Sequence, residues 1–193
     1  MKEIIIASTN LHKIDEYKSI LVPLGYNVLS LIDIDPTIDI IEDGNSFEEN
    51  AMIKADYLCK LLNKTVISDD SGLEVIALNN EPGIYSARYM GKDTSYDIKN
   101  NNIIERVNNY TNRNCRYVCS IAYARVGEKT KVFTGYMNGD VAFKPQGDHG
   151  FGFDPIFYLK DFNKTVAELT DDEKNRISHR ANATKLLLEY LND

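Results

Sequence analysis

The run KEIIIAS, residues 2–8, most constrains the fold. Its apolar residues are continuous rather than alternating, as expected of a central strand covered on both faces. The next residues offer such cover. Asn10 is placed to cap a helix over 11–22, with Leu11, Ile14, Tyr17 and Leu21 on one face. Gly25 stops that helix, and YNVLSLI (26–32) reads as a second strand. A βαβ-like opening points to an α/β protein.

The rest of the chain extends this pattern. Residues 33–45 are loop-like, with Pro36 and an Asp43-Gly44 turn signal. Ser46 and Glu49 form a capping-box pattern ahead of a helix striped by Phe47, Ala51, Ala55, Leu58 and Leu62. Strands are expected at 65–69 and 73–78, a turn at NNEPG (79–83), and a helix over 95–110. The middle is β-rich, with strands at 115–126, 131–137 and 140–144. The last two are joined by Asn138-Gly139, a hairpin signal. A glycine-rich loop (145–155) follows, then a Thr170/Glu173 capping-box pattern and a terminal helix bearing Ala183, Leu187 and Tyr190.

Composition excludes several classes of function. A length of 193 residues suits one sizeable domain or two closely packed lobes. The net charge of −7 argues against nonspecific binding to a nucleic-acid backbone, but leaves room for a small anion in a basic pocket. Cys59, Cys115 and Cys119 have no disulfide or zinc spacing and read as buried thiols of a reducing cytosol. No signal peptide or membrane-spanning run is expected, so the anticipated location is cytoplasmic.

Four stretches and one lone acid carry possible chemistry, and each has a plain structural reading beside it. STNLHK (8–13) leaves a strand and enters a helix, where free N–H groups suit a phosphate. Equally, Asn10 only caps the helix and Lys13 points to solvent. A cation in a first turn opposes the helix dipole, so removing Lys13 is expected to leave the free protein no less stable. SDDSG (68–72) puts two acids between apolar runs, an arrangement costly to desolvate unless a divalent cation uses it. It is also an ordinary polar turn. Neighbouring strand residues face opposite ways, so Asp69 and Asp70 are expected to have different jobs. Glu42 is a candidate second carboxylate or a solvated loop acid. GFGFDPIF (150–157) alternates aromatics with glycine, either to stack on a base or to fill a core. KNRISHRANA (174–183) gathers Lys174, Arg176, His179 and Arg180, either as a site or as a solvated cationic face. His179, His149 and His12 lack metal-ligand spacing.

The order of STNLHK, SFEENAMIKA, SDDSGLEV, PGIYSARY, GFGFDPIF and ISHRA resembles the inosine triphosphate pyrophosphatase family, the HAM1-like dITP/XTP pyrophosphatases, over essentially the whole chain. The resemblance implies hydrolysis of ITP, dITP and XTP between the α and β phosphates, with Mg²⁺ as cofactor and a homodimer as the assembly. It also implies a single two-lobed domain over 1–193: a long mixed central β-sheet with flanking helices and the active site in the cleft between lobes. Ser8, Thr9, Asn10, Leu11, His12 and Lys13 match the triphosphate loop, and Lys54 a phosphate-reaching lysine. Asp70 matches the general base and metal ligand, with Glu42 as second ligand and Asp69 as an alternative base. Ser71, Phe151, Gly152, Phe153, Asp154, Lys174, His179 and Arg180 match substrate contacts, Lys174 lending charge to the triphosphate as well. The chain departs from the family at Ser8-Thr9-Asn10 (often Thr-Gly-Asn), at Phe153 (often Tyr) and at Ala181 (often Gly). Two other functions fit the same residues less closely: a pyrophosphatase for pyrimidine or modified-base triphosphates, and a nucleotide-binding regulator without catalysis.

Overall fold

A computed structural model describes residues 2–192. In chain order the main elements are β1 (Lys2–Ile6), α1 (Leu11–Leu21), β2 (Tyr26–Ser30), α2 (Leu31–Ile34), α3 (Phe47–Leu62), β3 (Val66–Val75), β4 (Glu81–Pro82), α4 (Tyr96–Val107), β5 (Asn114–Ala124), β6 (Lys131–Val141), β7 (Phe157–Leu159), β8 (Lys164–Thr165), α5 (Asp171–Ile177) and α6 (His179–Asn192). The strands form one mixed sheet in the order β2-β1-β3-β5-β6-β7-β8, with β4 paired to β3. β1 runs parallel to both β2 and β3. The β3–β4, β6–β7 and β7–β8 pairs are antiparallel.

The chain divides into two compact units. Unit 1 holds the residues up to Asp70, Ser120–Thr134, and the chain from Ala183 on; unit 2 holds Ser71–Cys119 and Gly135–Asn182. Unit 1 has its own core, in which Ile5, Leu31, Ala51, Ala55, Leu58, Val66 and Ala122 pack together. Unit 2 packs Leu73, Val75, Ile103, Val107, Tyr117, Val141, Phe153, Phe157 and Leu169. Each large side chain fully buried in this way contributes about 1.5–3 kcal/mol.

Local sequence explains most helix limits. Asn10 accepts the Lys13 N–H at 3.4 Å and starts α1. Ser46 accepts the Glu49 N–H at 3.1 Å, but Glu49 turns back to the Asn45 N–H at 2.7 Å, so only half of the expected capping box forms. Thr170 and Glu173 make the full reciprocal box at α5.

Three expectations fail, two because tertiary pairing overrides a local signal and one because a local cap ends a strand early. SDDSG is not a turn between two strands: β3 runs through it unbroken, and 76–78 is a short 3₁₀ helix. Its acids are tolerated inside a strand because each has a polar partner. Asn138-Gly139 makes no hairpin either, since β6 continues through both residues. Gly139 is there for close approach: a Cβ would come within 2.5 Å of the Phe157 ring and 2.6 Å of the Tyr158 carbonyl oxygen on β7. Finally, YNVLSLI is a strand only to Ser30. The Asp33 carboxylate accepts the Ser30 N–H at 2.8 Å and begins α2.

Candidate active site

In unit 1 the sheet sets the loop leaving β1 beside a sequence-distant stretch of β3. β1 and β3 are parallel with Ile6 opposite Ile67, and the Ala7 N–H bonds the Ile67 carbonyl at 2.8 Å. The loop leaving β1 therefore lies beside residues 68–70 of β3, which continues past the end of β1. Ser8 Oγ accepts the Asn10 N–H at 3.1 Å and shapes that loop. Lys13, in the first turn of α1, reaches Asp69 with Nζ 3.1 Å from Oδ2. The Asp69 side chain is 1% exposed, so Lys13 does not simply point to solvent. Thr9, Asn10, Leu11 and His12 are exposed.

Asp70, the next strand residue, faces α3. Its Oδ2 accepts from Asn50 Nδ2 at 2.9 Å. One turn further along α3, Lys54 Nζ lies 3.0 Å from Glu42 Oε2. Glu42 is thus drawn into the cluster from a loop whose sequence gave little reason to expect it. Burial pushes the Asp70 carboxyl above the ordinary carboxylate range. Lys54, the Asn50 bond and Lys13 pull it back, and the Glu42 charge pushes it up again. A buried carboxyl raised against two nearby lysines is the kind of group that marks functional sites.

Sequence reasoning does not single out Asn50 as a site residue. The signal lay in the helical period: Phe47, Asn50, Ala51, Lys54, Ala55 and Leu58 form one buried stripe of α3. Two polar residues at i and i+4 on an inward face need polar partners.

In unit 2 a second cluster forms around Asp154. The Phe151 N–H donates to Asp154 Oδ2 at 2.9 Å, Lys174 Nζ lies 2.9 Å from the same oxygen, and the Tyr117 hydroxyl donates to Oδ1 at 3.0 Å. Lys174 also sits over the Phe151 ring, 4.5 Å from its centroid. Burial, and then the Asp154 charge, hold the Tyr117 hydroxyl well above its ordinary pKa, so it stays a donor. Tyr117 stacks on Phe157 at 4.3 Å on one side and on His179 at 4.7 Å on the other. His179 and Arg180 lie in the first turn of α6, and the break between α5 and α6 is Ser178, whose Oγ accepts the Ala181 N–H at 3.1 Å. Arg180 is 2% exposed and donates to Ser71 Oγ at 3.1 Å.

Phe153 takes the core alternative, 3% exposed and edge-on to Tyr96 at 5.3 Å, whereas Phe151 is half-buried. Asn100 Nδ2 donates to the Gly152 carbonyl at 3.2 Å and holds the loop between them. Lys174 is buried against Asp154 and belongs to this unit, unlike Lys13 and Lys54. Among the described residues no three His, Cys, Asp or Glu side chains form a closed metal cage. No described helix is long and apolar enough to cross a membrane.

The Ham1 family model matches residues 4–190. The dITP/XTP pyrophosphatase of Staphylococcus aureus strain MW2 is 46% identical over 191 residues, covering 99% of this chain and 97% of that protein. The dITP/XTP pyrophosphatase of Bacillus subtilis strain 168 is 47% identical over 193 residues, covering 99% and 98%. Among solved structures, the Staphylococcus aureus Ham1 protein superposes with a TM-score of 0.91 over 99% of this chain and 98% of that one, at 46% identity. A match over nearly the whole length, in sequence and in fold, makes this chain a member of the Ham1 family.

Proposed function

We propose that this chain hydrolyses deaminated purine nucleoside triphosphates, ITP, dITP and XTP, to the monophosphate and pyrophosphate. The observation that carries the reading is Asp70: a buried carboxyl pushed up by desolvation, beside two lysines and a second carboxylate. Names of relatives nearly half identical to this chain support the same substrate class.

The donor set fits magnesium. Asp70 and Glu42 offer hard carboxylate oxygens whose mutual repulsion a cation relieves. Magnesium is commonly held by one or two carboxylates together with substrate phosphates, which suits a site without a full protein cage. When bound, it neutralises phosphate charge and withdraws electrons from the phosphorus under attack.

The chain's own groups do the rest. Lys54 and Lys13 lend positive charge to the phosphates. The N–H groups opening α1 add a favourable end for an anion. Asp70 orients the attacking water and takes its proton, a task aided by a carboxyl lifted toward neutrality. The new bond joins water oxygen to the α phosphorus, the α–β bridging bond breaks, and pyrophosphate leaves with the electron pair. In unit 2, His179, Arg180 and the loop of Phe151–Asp154 are the groups assigned to the base. Hypoxanthine and xanthine present a 6-oxo acceptor and an N1–H donor, and adenine presents the reverse. A site paired to the first pattern refuses the second by a factor of about 10⁴. The protein acts as a cytoplasmic homodimer in this reading, and its three buried cysteines, none in a disulfide, accord with a reducing compartment.

Pyrophosphate release from dITP, XTP, ATP, GTP, dUTP and dTTP, with and without magnesium, tests the proposal. Fast, magnesium-dependent release from dITP and XTP is expected. Preference for dUTP or dTTP, or no release from any of them, overturns it.

A further inference from the structure

We propose that Asn50 is a positioning residue that locks the two metal-ligand candidates, Asp70 and the loop bearing Glu42, into one unit. The inference rests on the reading of Asp70 and Glu42 given above. Asn50 is 1% exposed, and both ends of its amide are engaged. Its Oδ1 accepts the Gly44 N–H at 2.9 Å, and its Nδ2 donates to Asp70 Oδ2 at 2.9 Å. The orientation is forced by chemistry. A backbone N–H only donates and an ionised carboxylate only accepts, so a flipped amide would lose both bonds.

The neighbouring backbone is shaped for this amide. A Cβ on Gly44 would lie 2.8 Å from Asn50 Oδ1, 2.8 Å from Glu49 Cβ and 2.9 Å from the Asn50 nitrogen. Only glycine lets the loop come so close. Glu42 is two residues before Gly44, and Lys54, which pairs with Glu42 at 3.0 Å, is one helical turn beyond Asn50. One face of α3 thus grips the loop at Gly44 and at Glu42, and grips Asp70 through the same amide. Partners of this kind, which touch a ligand without ligating, typically change metal affinity or activity 10–100-fold when lost.

The test uses Asn50→Ala and Gly44→Ala in the full chain. Binding of Mn²⁺ without nucleotide, followed by electron paramagnetic resonance, should weaken about tenfold or more in Asn50→Ala. The magnesium concentration giving half-maximal dITP hydrolysis should rise in parallel, while KM for dITP at saturating magnesium stays nearly constant. Gly44→Ala, which leaves every side-chain partner of Asp70 in place, should shift both metal readouts the same way by a smaller factor. It decides the matter alone if Asn50→Ala does not fold. Unchanged Mn²⁺ affinity and unchanged magnesium dependence in the folded variants overturn the positioning role. A wild-type protein inactive on every triphosphate overturns the functional reading instead, so the two failures are distinguishable.

Discussion

Asp70 and Asp154 are the same residue type, both buried, each with a lysine nearby, yet they serve their units differently. Asp154 receives a backbone N–H, a tyrosine hydroxyl and a lysine ammonium, all within 3.0 Å. It ties the 151–154 loop to α5 and to the Tyr117 stack. Asp70 accepts a hydrogen bond from the Asn50 amide, but its lysines are shared with Asp69 and Glu42, and desolvation prevails. A carboxylate surrounded by donors stabilises a fold; one whose burial is incompletely offset holds free energy that a ligand can release.

The sharpest test of that contrast is a pair of substitutions. Asp70→Asn should lower kcat by about 10²–10⁴-fold, the range for loss of a general base. Its melting temperature should hold or rise. In the wild type Asp70 keeps its proton to higher pH in the fold than in the unfolded chain. Stability of the metal-free protein should therefore fall as pH rises from about 4 through the raised value. Asp70→Asn should lack that slope, and thermal scans at several pH values check it. Asp154→Ala should instead destabilise by about 3–5 kcal/mol, read from urea unfolding, because the buried Lys174 ammonium loses its opposite charge. A stable Asp154→Ala protein, or a destabilised but active Asp70→Asn protein, would invert the comparison.

Lys13→Ala probes the border between the two behaviours. The dipole argument alone expects no loss of stability. The ion pair to Asp69 reverses that expectation, since the substitution removes the paired ammonium from a carboxylate whose side chain is 1% exposed. A loss of about 3 kcal/mol is expected in unfolding experiments. KM for dITP should rise about tenfold, the equivalent of 1.4 kcal/mol. Unchanged stability would return Lys13 to solvent.

The smallest effect belongs to Tyr117→Phe. Asp154 keeps two donors, so the cost should be about 1.5 kcal/mol, that of one hydrogen bond to a charged group. The raised Tyr117 pKa means that the fold retains a proton which the unfolded chain loses above pH 10. Wild-type stability should therefore fall as pH rises past that point, and Tyr117→Phe should flatten the decline. An unaltered alkaline limb would show that Tyr117 contributes packing alone.

Sequence alone determined the parts governed by local physics. The apolar run at 2–8 demanded a buried strand, Asn10 and Thr170 capped the helices they precede, and the stripe from Phe47 to Leu62 demanded an inward face. The order of motifs placed the chain in its family, because a family is written in side chains. What only the tertiary structure decided were the partners. Nothing near Asp69 in the chain announces Lys13, fifty-six residues away, or tells Asp70 that Asn50 will hold it. The same lack of local cause hid the fate of SDDSG and Asn138-Gly139. Turn propensities are worth tenths of a kcal/mol to about 1 kcal/mol, whereas completing a strand between neighbours satisfies several backbone groups at once. Where long-range pairing offers more than a turn does, the strand continues, and the two acids lie buried within it beside polar partners.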